Sequence, residues 1–217
     1  MTPTLSFPHG LGMHERGIAA LLTLLAQESH ELPEFDEVVR VAKADPDQLR
    51  RLFPDSKAVL VAAAEQALVH LLDACTKAVV KVDPDDAMAQ FGAVGQAYLD
   101  WAATHHVQFR LLSDPDRIDL TRHPALQRYA NSIRALLLRM LERARDAGAL
   151  HPNEDLQTLL LTSGIFAYGL ARMVVDQQLI EWCPGEDPRD SAQRALLEFL
   201  RRLGRGALRS SSPVEAQ

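Results

Sequence analysis

Apolar residues recur along this chain at spacings of three and four, the period of helices that bury one face. Ile18, Leu21, Leu22 and Leu25 form the first stripe and predict a helix near 13–29. Phe35, Val38, Val39 and Ala42 form the second, followed by a tight joint and a third short helix ending near 53. A long alanine-rich helix is predicted near 56–81, capped by Asp55 or Ser56 and ending before Asp83-Pro84-Asp85. Met88, Phe91, Val94, Tyr98 and Trp101 define the next helix, near 85–104, and a short one carries Val107, Phe109 and Leu111. Residues 113–123 read as a polar loop. Leu126, Tyr129, Ile133, Leu136, Leu137 and Met140 mark a long helix that Gly148 stops. Two further helices are predicted, from 156 to about 179 and from 192 to 208. No internal repeat and no βαβ pattern occurs, so the predicted fold class is all-α.

The joint at Ala42-Lys43-Ala44-Asp45 carries the sharpest local signal. Asp45 suits the N-cap of a new helix, Pro46 its first turn, and Gln48 the position of a capping-box partner. Two short helices joined this tightly must cross steeply, which is the geometry of a helix-turn-helix. The composition shifts near residue 56, from short helices to long ones with broad apolar faces. This predicts a helix-turn-helix domain over 1–55 and a larger helical domain over 56–208. The helix starting at Ser56 bridges them, and a disordered polar tail covers 209–217.

Composition narrows the possibilities. The 217 residues are 47% hydrophobic and 24% charged, enough for a sizeable core. No apolar run is expected to reach membrane-spanning length and no signal-peptide pattern is found, so no membrane partner is expected. Cys75 and Cys183 lie far apart without metal-ligand spacing and read as free thiols of a cytoplasmic protein. The net charge of −6 argues against nonspecific polyanion binding by the whole surface. His105 and His106 are adjacent, so they point to different helix faces and form no metal pair. Asp114-Pro115-Asp116 reads as loop chemistry, and no phosphate loop, nucleophile elbow or metalloprotease motif occurs. The sequence therefore predicts no enzyme activity, no metal and no cofactor.

The order of elements resembles the TetR/AcrR family of bacterial transcriptional regulators across nearly the whole chain. Val38-Val39 stands where the family has Ile-Ala, and Ala42-Lys43-Ala44-Asp45 where it has Ala-Gly-Val-Ser. Leu49 and Phe53 match the apolar positions of its recognition helix. Ala97-Tyr98-Leu99, Phe109-Arg110-Leu111-Leu112, His123-Pro124 and Tyr168-Gly169-Leu170-Ala171 match segments downstream. The chain departs from the family at Lys43, where a turn glycine is usual, and at Asp47, where another glycine is frequent. It departs again at Arg50, where a phosphate-contacting tyrosine is frequent. Ser56-Lys57 matches the family's Ser-Lys only with one inserted residue; otherwise Ser56 replaces the phosphate-binding lysine.

The resemblance implies a ligand-responsive, DNA-binding homodimer, more a repressor than an activator. Arg40, Lys43, Arg50, Arg51 and Lys57 lie within eighteen positions and are the candidate phosphate contacts, with Gln48 as the base reader. Residues 1–60 nevertheless hold six Lys/Arg against nine Asp/Glu, an acidic balance for a module that binds polyanionic DNA. The family's effector cavity lies among the helices after residue 85. The candidate lining residues are Trp101, Phe109, Tyr129, Phe166 and Tyr168, with His105, Asn131 and Arg172 as polar contacts. Few charges there imply a small apolar or aromatic effector. The family pairs its last two helices with their copies. The corresponding dimer candidates are Leu160, Ser163, Gly164, Ala167, Ala171, Leu196, Phe199, Leu200 and Leu203. A two-fold dimer presents two recognition helices to a palindromic double-stranded operator. The alternative is a divergent member of the fold that binds a protein or small molecule without binding DNA.

Overall fold

A computed structural model describes residues 12–27 and 31–209. The described residues form ten α-helices, with no strand among them. These are α1 Met13–Leu25, α2 Phe35–Ala42, α3 Pro46–Leu52, α4 Ser56–Val79 and α5 Ala87–Thr104. They continue as α6 His106–Ser113, α7 Pro124–Asp146, α8 Leu156–Val175, α9 Leu179–Trp182 and α10 Pro188–Arg209. From residue 210 the expected tail lies outside the described residues.

Local chemistry sets these boundaries. Asp45, Asp55, Asp86 and Asp155 each accept backbone N–H groups at a helix start, from Gln48, Ala58, Ala89 and Gln157 respectively. Asp55, not Ser56, therefore caps α4. Gly148, at φ +78°, closes α7 with Ala149 N–H donating to Ala144 O and Gly148 N–H to Arg145 O. The helix predicted to run to 179 instead stops at Val175, because Gln177 turns left-handed at φ 58° and a new turn begins at Leu179. The last helix starts four residues earlier than predicted. Asp187 accepts the Arg189 N–H at 2.8 Å and Pro188 opens the helix, repeating the Asp45-Pro46 arrangement. The loop at 113–123 is less polar in its packing than expected, since Ile118 is buried.

The helices fall into two compact units. The first combines the described residues up to Val69 with Val107–Gln127, and the second combines His70–His106 with the described residues from Arg128 onward. The boundary expected at residue 55 does not coincide with this division. The helix α4 is uninterrupted and gives residues to both units, and α6 joins the first. In the first unit, Ile18, Leu21, Val38, Leu49, Phe53 and Val59 are buried. Gly17 allows close packing there: a Cβ would meet the Phe53 ring at 3.0 Å and Leu49 at 3.1 Å.

In the second unit α5 packs on α8 and α10, and α8 on α10. Gly92 and Gly95 permit this approach, because a Cβ at either would meet Leu200 or Leu196 at 3.0 Å. Polar ties join α10 and α7 to α5. Gln193 Nε2 donates to Gln96 O at 3.2 Å and Asp100 Oδ1 at 3.0 Å, and Arg143 Nη1 donates to Gln90 Oε1 at 2.9 Å. The expectation that no apolar run reaches membrane-spanning length needs correction, since α4 and α8 are both long and apolar enough. Each also supplies a buried face to the helical core, through Val59, Leu60, Ala63 and Ala67 in α4 and Leu159, Ala171 and Val174 in α8.

Candidate functional site: an exposed recognition helix and an uncharged cavity

The corner between α2 and α3 is held from three sides. Lys43 sits at φ 50°, ψ 44°, the left-handed conformation that glycine adopts at little cost. Its N–H donates to Arg40 O and the Ala44 N–H to Val39 O, both at 3.2 Å, which satisfies the last carbonyls of α2. The Arg16 guanidinium on α1 donates to Ala42 O at 3.1 Å and also reaches Lys43 O. Asp45 then caps α3 through the Gln48 N–H at 2.9 Å. Within α3, Leu49 is fully buried while Asp47, Gln48, Arg50 and Arg51 are exposed. One apolar anchor thus fixes the helix and turns its polar residues outward.

The basic side chains of this corner differ in what they already hold. Arg50 pairs with Asp36 at 3.3 Å and lies over the Phe35 ring at 5.5 Å. Arg40 pairs with Glu37 at 3.5 Å. Arg51 makes no ion pair among the described residues, and Lys43 is exposed. Exposed pairs of this kind contribute about 0–1 kcal/mol, so a phosphate can displace the carboxylates. Lys57 is exposed on α4 and lines a polar groove with Asp116, Arg117, Asp119, Arg122 and His123. Ser56 is buried with an unpartnered Oγ, so it is no substitute for a phosphate-binding lysine. Arg16 was not singled out in the sequence, because a cap donated from another helix leaves no local pattern.

The second unit contains a cavity of about 200 Å³. Leu71 and Cys75 of α4, Phe91, Val94, Gly95 and Tyr98 of α5, and Ile133 and Leu137 of α7 line it. Leu160, Ser163, Gly164 and Ala167 of α8 and Leu196, Phe199 and Leu200 of α10 complete the wall. No Asp, Glu, Lys, Arg or His side chain is among them. Burial pushes the Cys75 thiol up to about 11, and burial first, then Tyr168 and Cys75, pushes the Tyr98 phenol up. Both are uncharged near neutral pH. The Ser163 Oγ is buried without a hydrogen-bond partner.

The lining differs from the expected one. Trp101 and Phe109 are not among these residues; both are buried, Phe109 in the first unit. The Trp101 ring stacks on His105 at 5.7 Å, and His105 Nδ1 lies 3.1 Å from Trp101 O. Phe166 is not among the lining residues either, but its ring stacks at 4.4 Å on Phe199, which is. Tyr129 is half-buried on α7, and Asn131 is exposed. Tyr168 and Arg172 lie on the exposed side of α8, where Arg172 pairs with Asp176. The helical period locates apolar faces but does not say which of them enclose a void.

The dimer candidates are placed as follows. Leu160, Ser163, Gly164, Ala167, Leu196, Phe199 and Leu200 line the cavity, and Ala171 is fully buried within the unit. Leu203 is half-buried. The apolar side chains that α8 and α10 leave exposed are different ones: Leu161 and Ile165, each 63% exposed, Tyr168 at 40% and Leu197 at 51%. Leu161, Ile165 and Tyr168 are spaced by four and three, so they form one stripe on α8. With Ile133, Arg134 and Leu137 of α7 they line an open groove.

A helix-turn-helix corner with an exposed polar α3, together with a helical unit around an uncharged cavity, is the architecture of a regulator-type fold. The family model described as "Tetracyclin repressor-like, C-terminal domain" matches residues 91–199, half of the chain. The chain belongs to the TetR family of transcriptional regulators. No curated protein matches it significantly. Solved structures with the same fold include a protein of unknown function from Rhodococcus sp. RHA1, 21% identical with a TM-score of 0.74, covering 92% of this chain and all of that one. A regulatory protein of the tetR family from Rhodococcus RHA1 is 20% identical with a TM-score of 0.66, over 89% and 98% of the two chains. The fatty acid degradation regulator FadR from Bacillus halodurans is 10% identical with a TM-score of 0.67, over 86% and 97%.

Proposed function

We propose that this chain is a ligand-responsive repressor that binds a palindromic double-stranded DNA operator in the cytoplasm as a homodimer. The observation that carries the reading is α3: Leu49 and the Asp45 cap fix it, and Gln48, Arg50 and Arg51 project from it. Arg50, Arg51, Arg40 and Lys43 supply phosphate contacts, and Gln48 offers its amide to an adenine edge. Lys57, on its groove, contributes charge beside them only if DNA reaches α4. The dimer forms through the exposed stripe Leu161, Ile165 and Tyr168 of α8 together with Leu197 of α10. The effector occupies the cavity, where it touches Leu71 and Cys75. Those residues share a continuous helix with Ser56–Val69, so a ligand that favours one placement of α4 changes the separation of the two α3 helices.

The acidic balance of the N-terminal residues supports a second reading, a member of the fold that binds a protein or small molecule but no DNA. Arg40 and Arg50 are already paired with carboxylates, and Asp47 is exposed beside them. Repeated selection of duplexes from a random pool separates the two. The repressor reading expects enrichment of a two-fold-symmetric site at a stoichiometry of one dimer per duplex. A stable dimer that enriches nothing at low salt would leave the second reading standing.

A further inference from the structure

We propose that the cavity of the second unit takes an anionic amphiphile, with its alkyl tail inside and its single anionic group on Arg134 at a mouth between α7 and α8. This deepens the effector-cavity reading above and rests on it. The cavity and the open groove along α7 and α8 share four lining residues: Ile133 and Leu137 of α7, and Leu160 and Gly164 of α8. The cavity therefore opens into the groove where these two helices face each other. Gly164 marks the opening, since it is exposed and a Cβ there would meet nothing within 4 Å. A ligand that enters here passes from solvent into a space whose wall carries no charged side chain.

The two compartments differ in charge. An ionised group drawn into the cavity would lose its water and gain no counter-charge, so the cavity selects the apolar part of a ligand. The groove is lined by one charged side chain, Arg134, exposed on α7. Arg134 follows Ile133 and precedes Leu137 by one turn, and both of those line cavity and groove alike, which places it beside the opening. It makes no ion pair among the described residues. Asp155, three residues before Thr158, accepts the Thr158 hydroxyl at 2.6 Å as part of the α8 cap and is not among the groove residues. A guanidinium left without a carboxylate, next to an apolar hole, suits an oxyanion that trails an apolar tail. Leu161, Ile165 and Tyr168, the stripe proposed for the dimer, form the α8 lip of the groove, and the anionic group lies across from it on the α7 side.

The test is titration calorimetry of the full chain with four probes: decanoate, 1-decanol, decyltrimethylammonium and butyrate. The proposal expects decanoate to saturate one site per chain and to bind about threefold more tightly than decanol, the scale of one exposed charge pair. The cationic probe should bind more weakly than decanol, and butyrate, which has the anion without the tail, should not bind. In Arg134→Gln decanoate and decanol should bind equally, through weaker decanoate binding alone, with the melting temperature unchanged. Gly164→Phe, which blocks the mouth, and Ala167→Phe, which fills the cavity but not the groove, should each abolish binding of both, while Gly164→Ala keeps it. Equal affinities for decanoate and decanol in the unaltered chain, a decanoate preference that survives Arg134→Gln, tighter binding of the cation, binding of butyrate, or decanoate binding that survives both Gly164→Phe and Ala167→Phe would each overturn the proposal. DNA binding is measured separately, with and without decanoate. Decanoate that binds with the expected pattern yet leaves DNA binding unchanged strikes only the effector reading, and DNA binding in a protein that lacks the probe pattern strikes only this one.

Discussion

Lys43 holds a left-handed conformation at φ 50°, and that conformation costs a residue with a Cβ roughly 1–2 kcal/mol. Lys43→Gly should therefore stabilise the protein by about 1 kcal/mol in urea unfolding while weakening DNA binding, because the same residue offers a cation. A loss of stability in that variant would mean the lysine side chain holds the turn by some other contact. Arg16 acts oppositely: Arg16→Ala leaves the Ala42 and Lys43 carbonyls without their donor and should destabilise by roughly 1–3 kcal/mol. Cys75 offers a pH test. Its folded pKa, about 11, lies above the ordinary 9.0, so its contribution to stability is complete below pH 9 and is lost as pH rises toward 11. Unfolding free energy should fall across that window by roughly 2 kcal/mol more in the unaltered protein than in Cys75→Ala. Parallel pH profiles would contradict the burial of that thiol.

At the scale of elements, the helices were legible where a cap residue and a period coincide. Asp45-Pro46 and Gly148 announced their boundaries, and the structure places a cap and a left-handed turn there. Gln177 and Asp187-Pro188 were not read, the first because a glutamine is an unusual left-handed residue, the second because the apolar period begins only at Ala192. The site was less legible than the helices. The apolar faces of α5, α8 and α10 are visible in sequence, but whether Leu196 and Ala167 meet a copy, a core or a void depends on packing between distant segments. Gly92 and Gly95 control that packing, and Gly95→Val should displace Leu196, shrink the cavity and lower the melting temperature. On α2 and α3, the Asp36–Arg50 pair predicts that Asp36→Asn will tighten DNA binding severalfold at low salt with no change in the preferred base sequence. An unchanged affinity would show that Arg50 does not face phosphate.

For the whole molecule, the account requires two copies of α3 held at a fixed separation. The dimer proposed above gives that task to the exposed α8 stripe of Leu161, Ile165 and Tyr168. Ile165→Asp should then shift the solution mass toward a monomer in light scattering and abolish cooperative operator binding, with helicity unchanged. An unaltered dimer would move the interface elsewhere. The most direct test of the central claim is a fluorescence anisotropy titration of the duplex upstream of its own gene, at two salt concentrations, with the unaltered chain and Arg51→Ala. Arg51 is exposed and free of ion pairs among the described residues, so its removal reports on phosphate contact alone. The account predicts saturable binding that weakens with salt, and a salt dependence shallower by about one counterion per recognition helix in the variant. Absence of binding to that duplex and to a random pool at low salt, or binding that salt and Arg51→Ala leave unchanged, would contradict it.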